Sequence, residues 1–273
     1  MKRAKLARGS FWVVAFGSAG LACASSAPPP AASAAATPAA PAPGTAGAPP
    51  QVSGGPRSPQ AILADAVAAT GGAAAWNGHK TAHYQIETVF QGMGMGGTGE
   101  RFATREGKSF TVTQMTGVGT VREGTDGKVF WSEDPIQGLR FLEGAEREQA
   151  RIEAAWNPDM QADQLYAKLE SATEAGPNGV TYECVVATPK VGPPVKSCYD
   201  PVTHLQVTQS GTRATPQGDI PFRGITKDWR DVSGLKVPFG AETQLGPITL
   251  VVTVKSLVFD EPVDAKMFEP PAH

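Results

Sequence analysis

The chain has 273 residues, with 24 Lys and Arg against 26 Asp and Glu, for a formal charge of −2. That balance excludes a strongly basic nucleic-acid binder, because such affinity comes largely from neutralising phosphates. Composition changes sharply near residue 58, so the folded part is shorter than the length suggests.

Lys2, Arg3, Lys5 and Arg8 form a basic head, and residues 11–21 supply an apolar run before a small-residue site. This is the order of an export signal, predicted over residues 1–22. The run is about half of the ~20 apolar residues that a bilayer-spanning helix needs, so a signal is favoured over a permanent span. Leu21-Ala22-Cys23 resembles the lipobox of bacterial lipoproteins, with Gly20 where that box usually carries leucine. On this reading Cys23 is the lipidation residue and the membrane is reached through an N-terminal lipid anchor. Ala22-Cys23-Ala24 also fits an ordinary A-x-A cleavage site, which would leave a soluble periplasmic or secreted protein.

Residues 23–57 are nearly all Ala, Pro, Gly, Ser and Thr and hold no apolar cluster to offset the entropy of ordering, which predicts a disordered, extended tether. Loss of the signal takes the basic residues from 24 to 20 against 26 acidic ones, a charge of −6. Neither nucleic acid nor an electrostatic membrane patch is then expected as a partner.

The remaining span, 58–273, is predicted to be one domain. Ser58 is a good N-cap, Pro59 suits the first turn and Gly71-Gly72 stops the helix. Ile62, Leu63, Ala66 and Val67 give it one apolar stripe. Short period-two runs follow at 81–91, 98–105, 108–114, 119–123 and 128–132, separated by Gly-rich turns. In the first run Tyr84, Ile86 and Phe90 share a face opposite His83, Gln85 and Glu87, as a half-buried strand requires. Residues 144–156 and 158–172 read as two helices broken at Asn157-Pro158. Strands resume at 181–188, 195–199, 205–209, 225–232, 236–244 and 248–259. The fold class is therefore mainly β (α+β), with about 10–11 antiparallel strands, too many for a flat sheet, which should curl.

If Cys23 is acylated, Cys184 and Cys198 remain as an even pair in an oxidising compartment. They flank the turn-like residues 189–194, so a disulfide across a hairpin is expected, worth on the order of 3 kcal/mol for its short loop. Two buried free thiols are the alternative.

A short helix, a long meander interrupted once by helices, and further strands together resemble the LolA/LolB-like lipoprotein-carrier superfamily. Local segments carry the resemblance: Ala68-Ala69-Thr70-Gly71-Gly72 with Trp76 and Lys80-Thr81, and Asp126-Gly127-Lys128 with Trp131. Asp200-Pro201 with Thr203-His204-Leu205 resembles a turn usually ending Thr-Gly-Leu, His204 replacing the glycine. Asp228-Trp229-Arg230 through Phe239 and Pro262-Val263-Asp264 with Phe268-Glu269-Pro270-Pro271 extend the match over about residues 58–271. The resemblance implies a half-open β-barrel whose apolar concave face is covered by the N-terminal helix and the helical insertion. It also implies lipid or an acylated lipoprotein as partner, no cofactor and no catalysis, in an outer-membrane lipoprotein facing the periplasm. Phe90, Phe110, Val112, Trp131, Val207, Trp229, Leu250 and Val252 are the candidate lipid-binding residues, as the large apolar side chains on strand faces; plain core packing is the other reading of each. An envelope sensor, or a hydrolase with a site across the concave face, are the rival functions on the same fold.

Gly92-x-Gly94-x-x-Gly97 matches a dinucleotide fingerprint in form, but residues 100–105 read as a strand, so no helix N-terminus would meet a pyrophosphate. His79, His83, His204 and His273 show no metal-ligand spacing, and no GxSxG elbow is present, so no metal or catalytic residue is assigned.

Overall fold

The computed structural model describes residues 57–216 and 218–271; the expected export signal, Cys23 and all but the last residue of the expected tether lie outside the described residues. Helix α1 (Pro59–Ala69) starts where its cap predicts, with Ser58 Oγ accepting from Ala61 N at 3.2 Å. Its stripe is buried, Ile62, Leu63 and Ala66 packing against Val185 and Tyr199. Gly71 then turns the chain at φ +115°, and a Cβ there would stand 2.6 Å from Gly234 O, so only glycine fits. A second short helix, α2 (Gly72–Gly78), follows and buries Trp76.

Two antiparallel meanders make up the rest. The first comprises β1 (Thr81–Phe90), β2 (Met95–Thr104), β3 (Ser109–Met115), β4 (Gly119–Thr125), β5 (Phe130–Asp134) and β6 (Gly138–Phe141). The second comprises β7 (Tyr166–Ala175), β8 (Thr181–Pro189), β9 (Val195–Tyr199), β10 (Gln206–Arg213), β11 (Ile220–Val232), β12 (Leu235–Leu245) and β13 (Ile248–Phe259). They join where β1 pairs with β13, giving one open thirteen-stranded sheet in the order β6-β5-β4-β3-β2-β1-β13-β12-β11-β10-β9-β8-β7. The sheet is a curled half-barrel, as a sheet of this width must be if its twisted strands are to bury one face.

This order places consecutive strands β6 and β7 at opposite margins. The segment between them must cross the sheet, and it does so with α3 (Gly144–Glu153) and α4 (Ala162–Leu165). α3 rests on β5 and α4 on β7, so the helices span the concave side between the margins.

Thirteen strands exceed the ten or eleven expected, and two differences account for the excess. β6 has only four residues and no clear alternation. Residues 158–172, expected as a helix, hold the four-residue α4 and then the marginal strand β7. The sequence of β7, YAKLESATEA, favours helix by propensity, and its nine-residue pairing with β8 overrides that preference.

Cys184 and Cys198 face each other in the β8–β9 register and form a disulfide with Cα atoms 4.0 Å apart. At the next turn His204 stands at φ 56°, the left-handed region that suits the glycine of the resembling turn. Asp200 Oδ1 holds this turn by accepting from Thr203 N at 2.7 Å and Val202 N at 3.0 Å. His204→Gly is therefore expected to raise stability, the relief of about 1 kcal/mol at φ > 0 outweighing the entropy of a glycine. Urea unfolding of the two proteins checks this.

Candidate binding cavity

The ladders fix which side chains share the concave face. Tyr84 on β1 stands opposite Arg101, which pairs with Thr111, then Glu123, then Ser132 across β2 to β5. In the other direction Thr88 leads to Val252, Ala241 and Thr226 on β13, β12 and β11. Between this face and the crossing helices lies a cavity of about 450 Å³. Tyr84, Ala241, Val252 and Val254 form its floor, Gln149, Ala150 and Glu153 of α3 its roof, and Trp76 and Trp156 one end. Trp156 is fixed by donating Nε1 to Trp76 O at 3.0 Å, the rings meeting edge to face at 6.1 Å.

The roof is tied to both walls. Arg101 Nη2 donates to Glu153 O at 3.1 Å from β2, and Arg213 Nη1 meets Glu153 Oε1 at 2.7 Å from β10. Arg140 pairs with Glu146 at 3.0 Å, and Ala214 N donates to Gln149 Oε1 at 3.1 Å. The end of α3 is thus held to both walls by charge-assisted contacts.

Two of the eight candidate residues border the cavity. Val252 faces it directly. Trp131 borders it through its strand alone: its register partner is Gly124, and its ring lies over Gly124 on the convex side, where a Cβ would meet Cζ2 at 2.6 Å. There it is 1% exposed and donates Nε1 to Phe268 O at 3.3 Å, sealed by the C-terminal 3-10 turn Ala265–Phe268. Phe110, with its ring 6.1 Å from that of Trp131, and Val112 share this convex face. Trp229, opposite Pro238, is also on the convex side. Phe90 and Leu250 lie on the concave face but are packed into the core with Met115 and are not among the residues that line the cavity. Val207 is the extra residue of a bulge between Gln206 and Thr208, which takes it out of the alternation; Gln206 reaches the cavity instead.

The candidates Phe110 and Val112 of β3 and the ring of Trp131 of β5 thus lie on the convex side. On β3 to β5 Ser109, Thr111, Thr125, Phe130 and Ser132 line the cavity while Phe110 and Trp131 pack outward. Sequence reasoning missed Arg101, Glu153, Arg213 and Trp156, which come from four separate elements or linkers with no local pattern to join them. A Trp in an Ala-rich stretch before Asn157-Pro158 was the one available signal.

Asp159 lies where the crossing segment meets α1, with Tyr199 Oη donating to its Oδ1 at 3.0 Å. Burial pushes its carboxyl from 3.8 up to about 6, against the lowering effect of that hydrogen bond. The fold therefore holds a proton that the unfolded chain gives up, and stability falls as pH rises from about 4 to 6. Part of the residue remains accessible, which reduces the loss to roughly 1–2 kcal/mol. Asp159→Asn is expected to raise Tm at pH 7.5 and to leave it unchanged or lower at pH 4, as read by calorimetry at both values.

Among the described residues no helix is long and apolar enough to cross a membrane, and no group of three or more His, Cys, Asp or Glu is placed to hold a metal. The described residues form an open, curled antiparallel sheet roofed by helices inserted between its two margins, and the solved structures that match it give it a LolA-like fold. No family and no curated protein matches the chain at the sequence level. Solved structures do match in fold. A DUF1329 family protein from Desulfovibrio piger has a TM-score of 0.54 at 10% identity, covering 78% of this chain and 98% of its own. A domain assigned to outer membrane lipoprotein sorting from Vibrio parahaemolyticus gives 0.52 at 10% identity, covering 77% and 95%. A LolA superfamily protein from Nitrosomonas europaea gives 0.50 at 10% identity, covering 78% and 98%.

Proposed function

We propose that the protein is an envelope lipoprotein that binds a lipid, or the acyl chain of a lipoprotein, in the concave cavity and serves lipid or lipoprotein trafficking. The observation that carries this is a space of about 450 Å³ between an apolar floor and a roof held by polar contacts. That size falls within the ~300–1,000 Å³ of small-molecule sites. Each methylene moved from water onto the floor contributes ~0.8 kcal/mol, so one long chain gains on the order of 10 kcal/mol gross. Binding then needs no catalytic group. The assignment of the Vibrio parahaemolyticus domain to lipoprotein sorting is consistent with this reading. Residues 1–22 act as export signal, acylated Cys23 anchors the chain at the outer membrane facing the periplasm, and residues 23–57 tether the 58–273 domain.

Native mass spectrometry of the protein isolated from membranes without detergent exchange tests the carrier reading. Co-purifying lipid is the expected result, and its repeated absence contradicts it. Cys23→Ser is expected to move the protein from the membrane to the soluble fraction; unchanged partitioning rejects the anchor.

A further inference from the structure

Resting on that carrier reading, we propose that Arg101 and Tyr84 form a headgroup subsite inside the cavity, and that the guest is an amphiphile with an anionic head, a carboxylate or a phosphate. The two residues are register partners on β2 and β1, and both line the cavity. Residues directly opposed on one face of an antiparallel pair hold their Cβ atoms about 5 Å apart, so both side chains rise from one spot on the floor.

Arg101 is the first observation. Its guanidinium carries a permanent charge and five N–H donors. Nη1 donates to Thr111 Oγ1 at 3.4 Å and Nη2 to Glu153 O at 3.1 Å, and both acceptors are neutral. Nε meets no described residue and keeps accessible surface. Tyr84 is the second observation. Its Oη likewise has no hydrogen-bond partner among the described residues and is not sealed by its neighbours, so it is open to a guest in the cavity that it lines. Burial raises its phenol above the ordinary 10, against the lowering influence of Arg101, so at neutral pH the group keeps its proton and can donate. A cation and a neutral donor, both with N–H or O–H groups to spare, suit a head that offers only acceptor oxygens.

Charge selects the sign of the head. The cavity is lined by Arg101, Arg140 and Arg213 and by Glu123, Glu146 and Glu153. Arg140 and Arg213 meet Glu146 and Glu153 at 3.0 Å and 2.7 Å. Glu123 stands beyond Thr111 in the ladder, and no described carboxylate makes an ion pair with Arg101. An entering anion loses hydration, and the charge-assisted hydrogen bonds of Arg101 offset that loss. An ammonium would face Arg101 and find Glu146 and Glu153 engaged, and an uncharged head would leave Arg101 without a counter-ion. Ala241, Val252 and Val254 of the same floor are left for the tail.

The test measures competition by four single-chain probes of equal length, a fatty acid, an alkyl phosphate, a primary alcohol and an alkyltrimethylammonium, against a fluorescent chain on the full chain of the protein at pH 7.5. At least one anion is expected to bind tenfold or more tighter than the alcohol and the ammonium, and the order of the two anions names the head. Tyr84→Phe removes a hydroxyl that no described residue meets, so it is expected to keep Tm and to weaken the preferred anion about fivefold with the alcohol unchanged. Arg101→Gln is expected to abolish the preference for the anion. Because Arg101 also holds Glu153 O, a residue that merely positions the roof would weaken the alcohol as much as the anion when replaced. Equal affinity of the parent for anions and alcohol, or variants that weaken all probes alike, overturns the anionic subsite while the carrier reading stands. Failure of every probe to bind the folded protein overturns both.

Discussion

Ala241→Trp is expected to cut the affinity for a long-chain probe by about tenfold or more while leaving the fold intact. Ala241 lies on the cavity floor, between Val252 of β13 and Thr226 of β11, with no side chain beyond its methyl to fill the space. An indole there occupies volume that the chain would otherwise take, and its own apolar surface is buried in the chain's place. Because the cavity is open space and not packed core, the added ring meets little of the overpacking cost that a filled interior imposes. Circular dichroism and Tm near those of the parent, with lipid absent from the native mass spectrum, make up the expected outcome. Undiminished binding by a folded Ala241→Trp protein would place the guest elsewhere.

Trp131→Ala separates stability from binding. The ring is 1% exposed between Gly124, Phe110 and the C-terminal turn, so its loss leaves a cavity on the convex side and costs about 3–5 kcal/mol. At roughly 2–4 °C per kcal/mol for a domain of this size, Tm falls by about 10 °C or more. Chain affinity, measured well below the new Tm, is expected to stay as it was. A variant with ordinary Tm and lost affinity would put the ring inside the cavity.

The contrast between these two positions shows what the sequence could convey. The curl follows from strand number, and β1 and β13 alternate plainly enough that Tyr84, Ile86, Phe90 and Leu250, Val252, Val254 could be assigned to one face by eye. Ser58 announced α1, and the parity of Cys184 and Cys198 announced the disulfide. In β3 the alternation is present with its sense reversed, and in β5 the adjacent Phe130 and Trp131 bury on opposite faces, because Phe268, 137 residues beyond Trp131, covers the outside of the sheet. No local pattern carries a contact of that span. β7 was hidden for a different reason: a marginal strand needs only one partner, and Ala, Lys, Leu and Glu satisfy it there while favouring helix in isolation. The polar wall and its arginines were illegible because the ladder from Tyr84 to Ser132 runs through five strands, each contributing one residue.

Quenching of tryptophan fluorescence by a chain brominated along its length tests the central claim most directly. Trp76 and Trp156 border the cavity, whereas the rings of Trp131 and Trp229 lie on the far side of the sheet. In the protein lacking residues 1–22, and with them Trp12, replacing Trp131 and Trp229 by Phe is expected to leave saturable quenching of the remaining pair; with Trp76 and Trp156 replaced, it should vanish. Quenching confined to Trp131 and Trp229, or none in either protein while the chain binds, would contradict a guest held on the concave face.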